Sequence, residues 1–260
     1  GDDLAHVRED SGVRRLMTIR PLADRLTALG LHRDRSIILL DAGKNEPRSW
    51  QHFQREPAGT GPSVKPENPA LMFYTSGVSG RPKGVPLSHR NLMSNLQALL
   101  TTQVYRPDER LLLPLPLHHV YPFMIGLLAP FALGLPVILP HSLTGPQILR
   151  ALREGRVTAI VGVTRLYSAL YATIEQQVRQ KGRVLSAIFH GMLALSSLLL
   201  RYADIRLGPH LFAPLRRQVA PELRTLVYGG AGLPPDLAWR LAVTCIAVTW
   251  WWYARKGAEA

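Results

Sequence analysis

Short apolar runs bounded by turn residues alternate along the chain with longer stretches in which apolar residues recur every three or four positions. The runs Ser36 to Asp41, Ala70 to Tyr74, Arg110 to Leu113, Pro136 to Leu139, Val157 to Val161 and Leu223 to Tyr228 predict strands. A helix is expected from Ser88, a good N-cap, with Leu92, Leu96, Leu99 and Leu100 on one face. A second helical block, rich in Leu and Ala, runs over Arg165 to Gln180 and Val184 to Tyr202. Strands alternating with helices predict an α/β protein with sheets flanked by helices. Arg55 to Ala70, dense in proline and glycine, reads as a linker into the strand at Ala70.

Composition narrows the picture. At 260 residues the chain has room for a substantial core and hence for an enzyme. The single cysteine, Cys245, has apolar neighbours and reads as a buried thiol, which fits a reducing, cytoplasmic setting. A net charge of +13 attracts phosphates, acidic metabolites or anionic lipid. The arginines lack the aromatic interleaving of a nucleic-acid module, so no nucleic-acid partner is expected. The acidic, polar start is unlike a signal peptide, and Gly1 in place of Met points to a cut-down chain. Near the other end Leu241 to Tyr253 is uncharged and apolar, yet shorter than the ~20 residues a spanning helix needs. A buried element is expected there. The rival reading sets Trp250, Trp251 and Trp252 beside Arg255 and Lys256 at a lipid interface, as a peripheral membrane contact.

The richest chemistry lies in YTSGVSGRPKGV, Tyr74 to Val85. The expected arrangement is a strand, then a loop holding Thr75, Ser76, Gly77, Ser79, Gly80, Lys83 and Gly84, then the helix from Ser88. Glycines let backbone N–H groups approach oxygens, hydroxyls add donors, and Lys83 brings full charge to a polyphosphate. Pro82 sits where a Walker A loop requires glycine, so this is a different phosphate loop. GGAGLP at Gly229 likewise fails the dinucleotide fingerprint.

This loop closely resembles the phosphate-binding signature of the AMP-forming adenylating superfamily of acyl-CoA synthetases, luciferases and peptide-synthetase adenylation domains. Val78 alone departs, replacing a hydroxyl residue. LPLPLHHVYPFMIGLLAPFALGLPVILP resembles the family's following segment and aligns His119 with a histidine near the acyl pocket. Its neighbour His118 is expected to face the opposite way in an extended segment. VTAIVGVTRLYSALY resembles the next strand and helix, with Thr164 in place of a proline. LRTLVYGGAGLPPDL resembles the glycine-glycine-alanine turn, here Gly229, Gly230 and Ala231, which in relatives lies against adenine and the acyl group.

The resemblance implies an incomplete large N-terminal domain of the adenylate-forming fold: an N-terminal region and linker at 1–69, an AMP-binding core at 70–241 and an unmatched apolar tail at 242–260. It implies ATP and Mg2+ as cofactors, coenzyme A as co-substrate, and activation of a carboxylate to acyl-AMP and then acyl-CoA. The long helical segment between Val163 and Gly229 resembles long-chain fatty acyl-CoA ligases, which makes a fatty acid the expected substrate. The family's magnesium-placing glutamate motif, ribose aspartate and catalytic lysine have no counterpart in the sequence. No catalytic residue or metal ligand is therefore assigned. The expectation is a chain truncated at both ends and incapable of full turnover alone; the alternative is a non-catalytic, membrane-associated nucleotide-binding remnant.

Overall fold

The computed structural model describes residues 2–28, 37–53, 63–75, 80–203, 205, 207–229, 232 and 234–244. Cys245 and the tail from 245 onward lie outside them. Contacts divide the chain into two compact units, Gly1–Met93 and Ser94–Ala260.

The first unit begins with α1 (Asp2–Ser11), β1 (Leu16–Thr18), α2 (Arg20–Ala28) and β2 (Ile37–Leu39). β1 and β2 pair in parallel, Met17 opposite Ile38. Ile37, Leu39, Ala23 and Ala42 make a small apolar cluster against α2. Both carboxylate oxygens of Asp41 accept from the Arg20 amide at 3.0 Å, covering the first turn of α2. β1 is too short and too exposed to stand out in the hydrophobic pattern.

After a 3-10 turn at Trp50–Phe53 come β3 (Pro69–Thr75) and β4 (Lys83–Ser88), an antiparallel pair in which Tyr74 faces Gly84 and Thr75 faces Lys83. The expected loop is therefore shorter than the pattern indicated: Lys83 and Gly84 belong to β4. Pro86 disguised that strand, because proline lacks the ladder donor and is confined to edge positions. α3 (His89–Thr101) follows and begins where Ser88 marked it. The Asn91 amide donates to Ser88 Oγ at 3.2 Å and the Ser88 amide to Asn91 Oδ1 at 3.0 Å, a reciprocal cap. On α3, which crosses the division between the units, Leu96 is buried while Leu92, Leu99 and Leu100 are half-buried, the face the leucine spacing predicts.

In the second unit, β5 (Leu111–Leu112) leads to a helical run made of α4 (Val120–Phe123), a π-turn (Met124–Leu128) and α5 (Ala129–Ala132). Pro130 has no amide to give the Gly126 carbonyl, and the Ala129 amide reaches back to Met124 instead, which opens the π-turn. β6 (Val137–Ile138), α6 (Gly145–Glu154), β7 (Ala159–Gly162), α7 (Thr164–Gln180), α8 (Arg183–Ala203), α9 (Gly208–Leu211), α10 (Ala213–Val219), β8 (Thr225–Tyr228) and α11 (Pro235–Thr244) complete it. The strands form one parallel sheet in the order β6-β5-β7-β8. Tyr167, Tyr171, Ile174 and Val178, one stripe of α7, pack with Ile148 and Leu152 of α6 and Phe189 and Leu193 of α8 in the main core.

At the amino ends of the strands the buried Glu109 carboxylate accepts from the hydroxyl of Thr158 and, at 3.0 Å, from that of Thr225. Arg224 Nε stands 3.4 Å from it, and the Arg110 amide donates to Thr158 Oγ1 at 2.8 Å. These contacts tie together the starts of β5, β7 and β8 and leave the carboxyl ends free for a site.

Candidate functional site

The first group of candidate residues lies at the end of the β3–β4 hairpin. Tyr74 donates its hydroxyl to Asp10 Oδ2 at 2.7 Å, and a Cβ on Gly84 would sit 2.9 Å from the same oxygen. Both positions therefore face α1. Side chains alternate along a strand, so Thr75 and Lys83 project together from the opposite face. Both are exposed, and among the described residues no carboxylate pairs with the Lys83 ammonium. Gly80 has φ of +86°, a backbone conformation glycine adopts without strain, so it lets the chain turn back into β4. His6 Nε2 meets the Pro82 carbonyl at 3.0 Å, bracing the loop from α1. Burial, and then the hydrogen bond to Asp10, raise the Tyr74 phenol above its usual pKa, so it stays a neutral donor. Ser76, Gly77 and Ser79 lie outside the described residues. A hydroxyl and an ammonium on one face beside a glycine turn suit a polyphosphate.

The second group lies at the carboxyl ends of the parallel strands, where open α/β sheets take ligands. Gly229 follows β8 directly, and a Cβ there would fall 2.3 Å from the ring of Tyr121. Only glycine allows that approach. The Tyr121 hydroxyl stands 3.3 Å from the carbonyls of Gly162 and Val227, bridging the ends of β7 and β8. Burial pushes its phenol well above the usual tyrosine range. Thr164 donates to the Gly232 carbonyl at 3.1 Å, joining the start of α7 to the segment after β8. Gly230 and Ala231 lie outside the described residues.

His119 is exposed and opens α4 with extended backbone angles, and its carbonyl accepts from the Phe123 amide at 3.2 Å. The expectation that His118 and His119 face opposite ways fails. Leu117 and His118 lie in a turn before the extended His119, and the two rings lie 4.1 Å apart at 49°. Among the described residues no three His, Cys, Asp or Glu side chains converge.

Tyr121 is the residue that sequence reasoning missed. An aromatic in an apolar run reads as core; only the fold brings its ring against Gly229 and its hydroxyl between two strand ends.

Comparison with known proteins places the chain in a family. A family model described as AMP-binding enzyme matches residues 1–252, which includes residues on both sides of the motif-bearing span 70–241. A feruloyl-CoA synthase of Amycolatopsis sp is 29% identical over 240 residues, 92% of this chain and 38% of its own length. The medium-chain fatty-acid–CoA ligase of Escherichia coli is 32% identical over 108 residues, 42% of this chain and 19% of its own. The N-terminal domain of FACL13 from Mycobacterium tuberculosis, solved with an inhibitor, shares the fold at a TM-score of 0.65 and 22% identity, over 94% of this chain and 52% of that one. The chain thus spans about two fifths of the length of the feruloyl-CoA synthase it matches. With the family model covering nearly all of its length, the chain belongs to the AMP-binding enzyme family.

Proposed function

We propose that the chain supplies the nucleotide- and acid-binding core of an acid–thiol ligase. A carboxylate oxygen attacks the α-phosphorus of ATP, the bond to the bridging oxygen breaks, and pyrophosphate leaves with that electron pair. The acyl adenylate then loses AMP to attack by the thiol of coenzyme A. Little covalent work falls to the protein in the first step, which depends on alignment and charge neutralisation. Thr75, Ser76, Gly77, Ser79, Gly80, Lys83 and Gly84 hold the β- and γ-phosphates. Gly229, Gly230 and Ala231 receive the adenine and the acyl group, with Tyr121 behind Gly229. His119 gates the acyl pocket, and Mg2+ accompanies ATP. The working division is a core at 70–241 between an N-terminal region at 1–69 and a tail at 242–260.

The observation that carries this reading is the pairing of Thr75 with Lys83, which sets a hydroxyl and an ammonium on one face at the mouth of a glycine turn. Isothermal titration with ATP and magnesium tests it. Micromolar to millimolar binding is expected, and Lys83→Ala should weaken it roughly ten- to hundred-fold, the worth of a charge-assisted contact of about 1.5–3 kcal/mol. A chain with native circular dichroism and no heat of binding refutes the site.

For the acid, we propose a long-chain fatty acid. The support is the long pair of helices α7 and α8 between Val163 and Gly229, from the third motif to the fourth. The relatives named above act on acids as different as ferulate and medium-chain fatty acids, so the acid is decided by direct competition. Palmitate should raise the affinity for ATP more than decanoate or ferulate does; an equal or reversed order removes the long-chain assignment.

A further inference from the structure

Helix α8 is apolar on two sides. Phe189, Leu193 and Ser196 turn into the main core, where Phe189 meets Phe212 edge-on at 5.4 Å. The other side carries Val184, Ile188, Gly191, Leu195, Leu198 and Tyr202, spaced alternately four and three apart, a continuous stripe along one face. Its large side chains are open to solvent: Val184 75%, Ile188 50%, Leu195 53%, Leu198 58% and Tyr202 76%. A monomer does not ordinarily leave so long an apolar strip bare. Over Arg183–Leu200 the mean hydropathy is 1.6 and 17% of the window is buried. Length and composition alone would let this helix cross a bilayer. Its inward face already belongs to the main core, so in the folded protein it can lie on an apolar phase but not pass through one.

Charge decides what covers the stripe. α8 contains no aspartate or glutamate, and Arg183 and Arg201 stand at its two ends in sequence. An open hollow of about 500 Å³ lined by Arg179, Arg183, Ser186, Ala187 and His190 flanks the beginning of the stripe. Lys181 is exposed at the turn between α7 and α8, and the nearby acid, Glu175, is held by Arg179 at 2.8 Å and His190 at 3.2 Å. A second copy of the same helix would bring like charges together with no acidic partner along the seam, the reverse of what a paired coil uses. An apolar stripe edged by basic residues instead matches a bilayer whose headgroups are anionic.

We propose that α8 docks on an anionic lipid surface, with Val184, Ile188, Leu195, Leu198 and Tyr202 entering the acyl boundary and Lys181 and Arg183 meeting headgroup phosphates. Docking uses residues apart from the hairpin at Thr75 and Lys83 and is independent of ATP. The test is co-sedimentation of the whole chain with vesicles of phosphatidylglycerol and phosphatidylcholine, against phosphatidylcholine alone. Binding should be at least ten-fold stronger to the anionic vesicles and weaken with salt. Leu195→Asp with Leu198→Asp should lower it at least ten-fold with unchanged circular dichroism, and Val184→Asp, at the far end of the stripe, should lower it independently. Arg183→Glu should reduce the preference for anionic lipid. Unchanged pelleting of the stripe variants overturns the proposal. So does loss of binding confined to a Trp250→Ser, Trp251→Ser, Trp252→Ser variant. A concentration-dependent dimer in light scattering that the stripe variants abolish, without vesicle binding, assigns the face to a second copy instead.

Discussion

Gly229 and Tyr121 show how much a single missing side chain can carry. The ring occupies the space where a Cβ at 229 would go, so Gly229→Ala must push Tyr121 away from the carbonyls of Gly162 and Val227. We expect a loss of roughly 1–3 kcal/mol from such overpacking, measured as a lower urea midpoint. Tyr121→Phe keeps the ring and removes the hydroxyl, and should cost about 1 kcal/mol for the lost hydrogen bonding. If Gly229→Ala is as stable as the parent chain, the turn after β8 is looser than the geometry implies. At the hairpin, Lys83 and Thr75 were visible as residues, since hydroxyls, glycines and a lysine in one short run are a chemical signature. Their common face was not visible, because it depends on the register Thr75 to Lys83 and that register depends on a strand interrupted by Pro86.

Among elements, the pattern of apolar residues was a good guide where it had length or burial behind it. α7 and α8 run over Thr164–Gln180 and Arg183–Ala203, within a residue or two of the predicted block, because two long apolar periodicities leave little ambiguity. β1 and β4 were missed: three residues are too few to show alternation, and proline argued against the other. The stacking of β5, β7 and β8 rests on a device no periodicity reveals, the Glu109 carboxylate buried between Thr158, Thr225 and Arg224. Glu109→Ala leaves the Thr158 and Thr225 hydroxyls without their shared buried acceptor, while Arg224 keeps Asp108 at 2.6 Å, and should cost roughly 3 kcal/mol in chemical denaturation. The α7–α8 pair carries a pH-dependent tie. Arg179, and after it His190, hold the Glu175 carboxyl below the usual carboxylate range. A carboxylate whose pKa falls on folding binds fewer protons in the native state. Its stabilisation is present above the ordinary value of 4.5 and fades as pH drops below it. Between pH 6 and 3 the stability of Glu175→Gln should therefore fall less steeply than that of the parent chain, as followed by urea midpoints at each pH.

At the scale of the whole chain, the 260 residues span about two fifths of the length of a feruloyl-CoA synthase they match. We expect this polypeptide alone to bind ATP but to exchange pyrophosphate into ATP at no more than background. Exchange above background in purified chain would show that its own residues suffice for the first step. The sequence by itself determined the family, because the run Tyr74 to Val85 carries particular residue types at particular spacing and those are written in one dimension. It also determined the α/β class, which follows from apolar periodicity. Only the tertiary structure decided which face of the hairpin Thr75 and Lys83 share, that Tyr121 stands against Gly229, and that α8 keeps a second apolar side out of the core. Each of these is a relation between residues distant in sequence or a choice between two apolar faces, and local pattern holds no information about which neighbour the folded chain will bring.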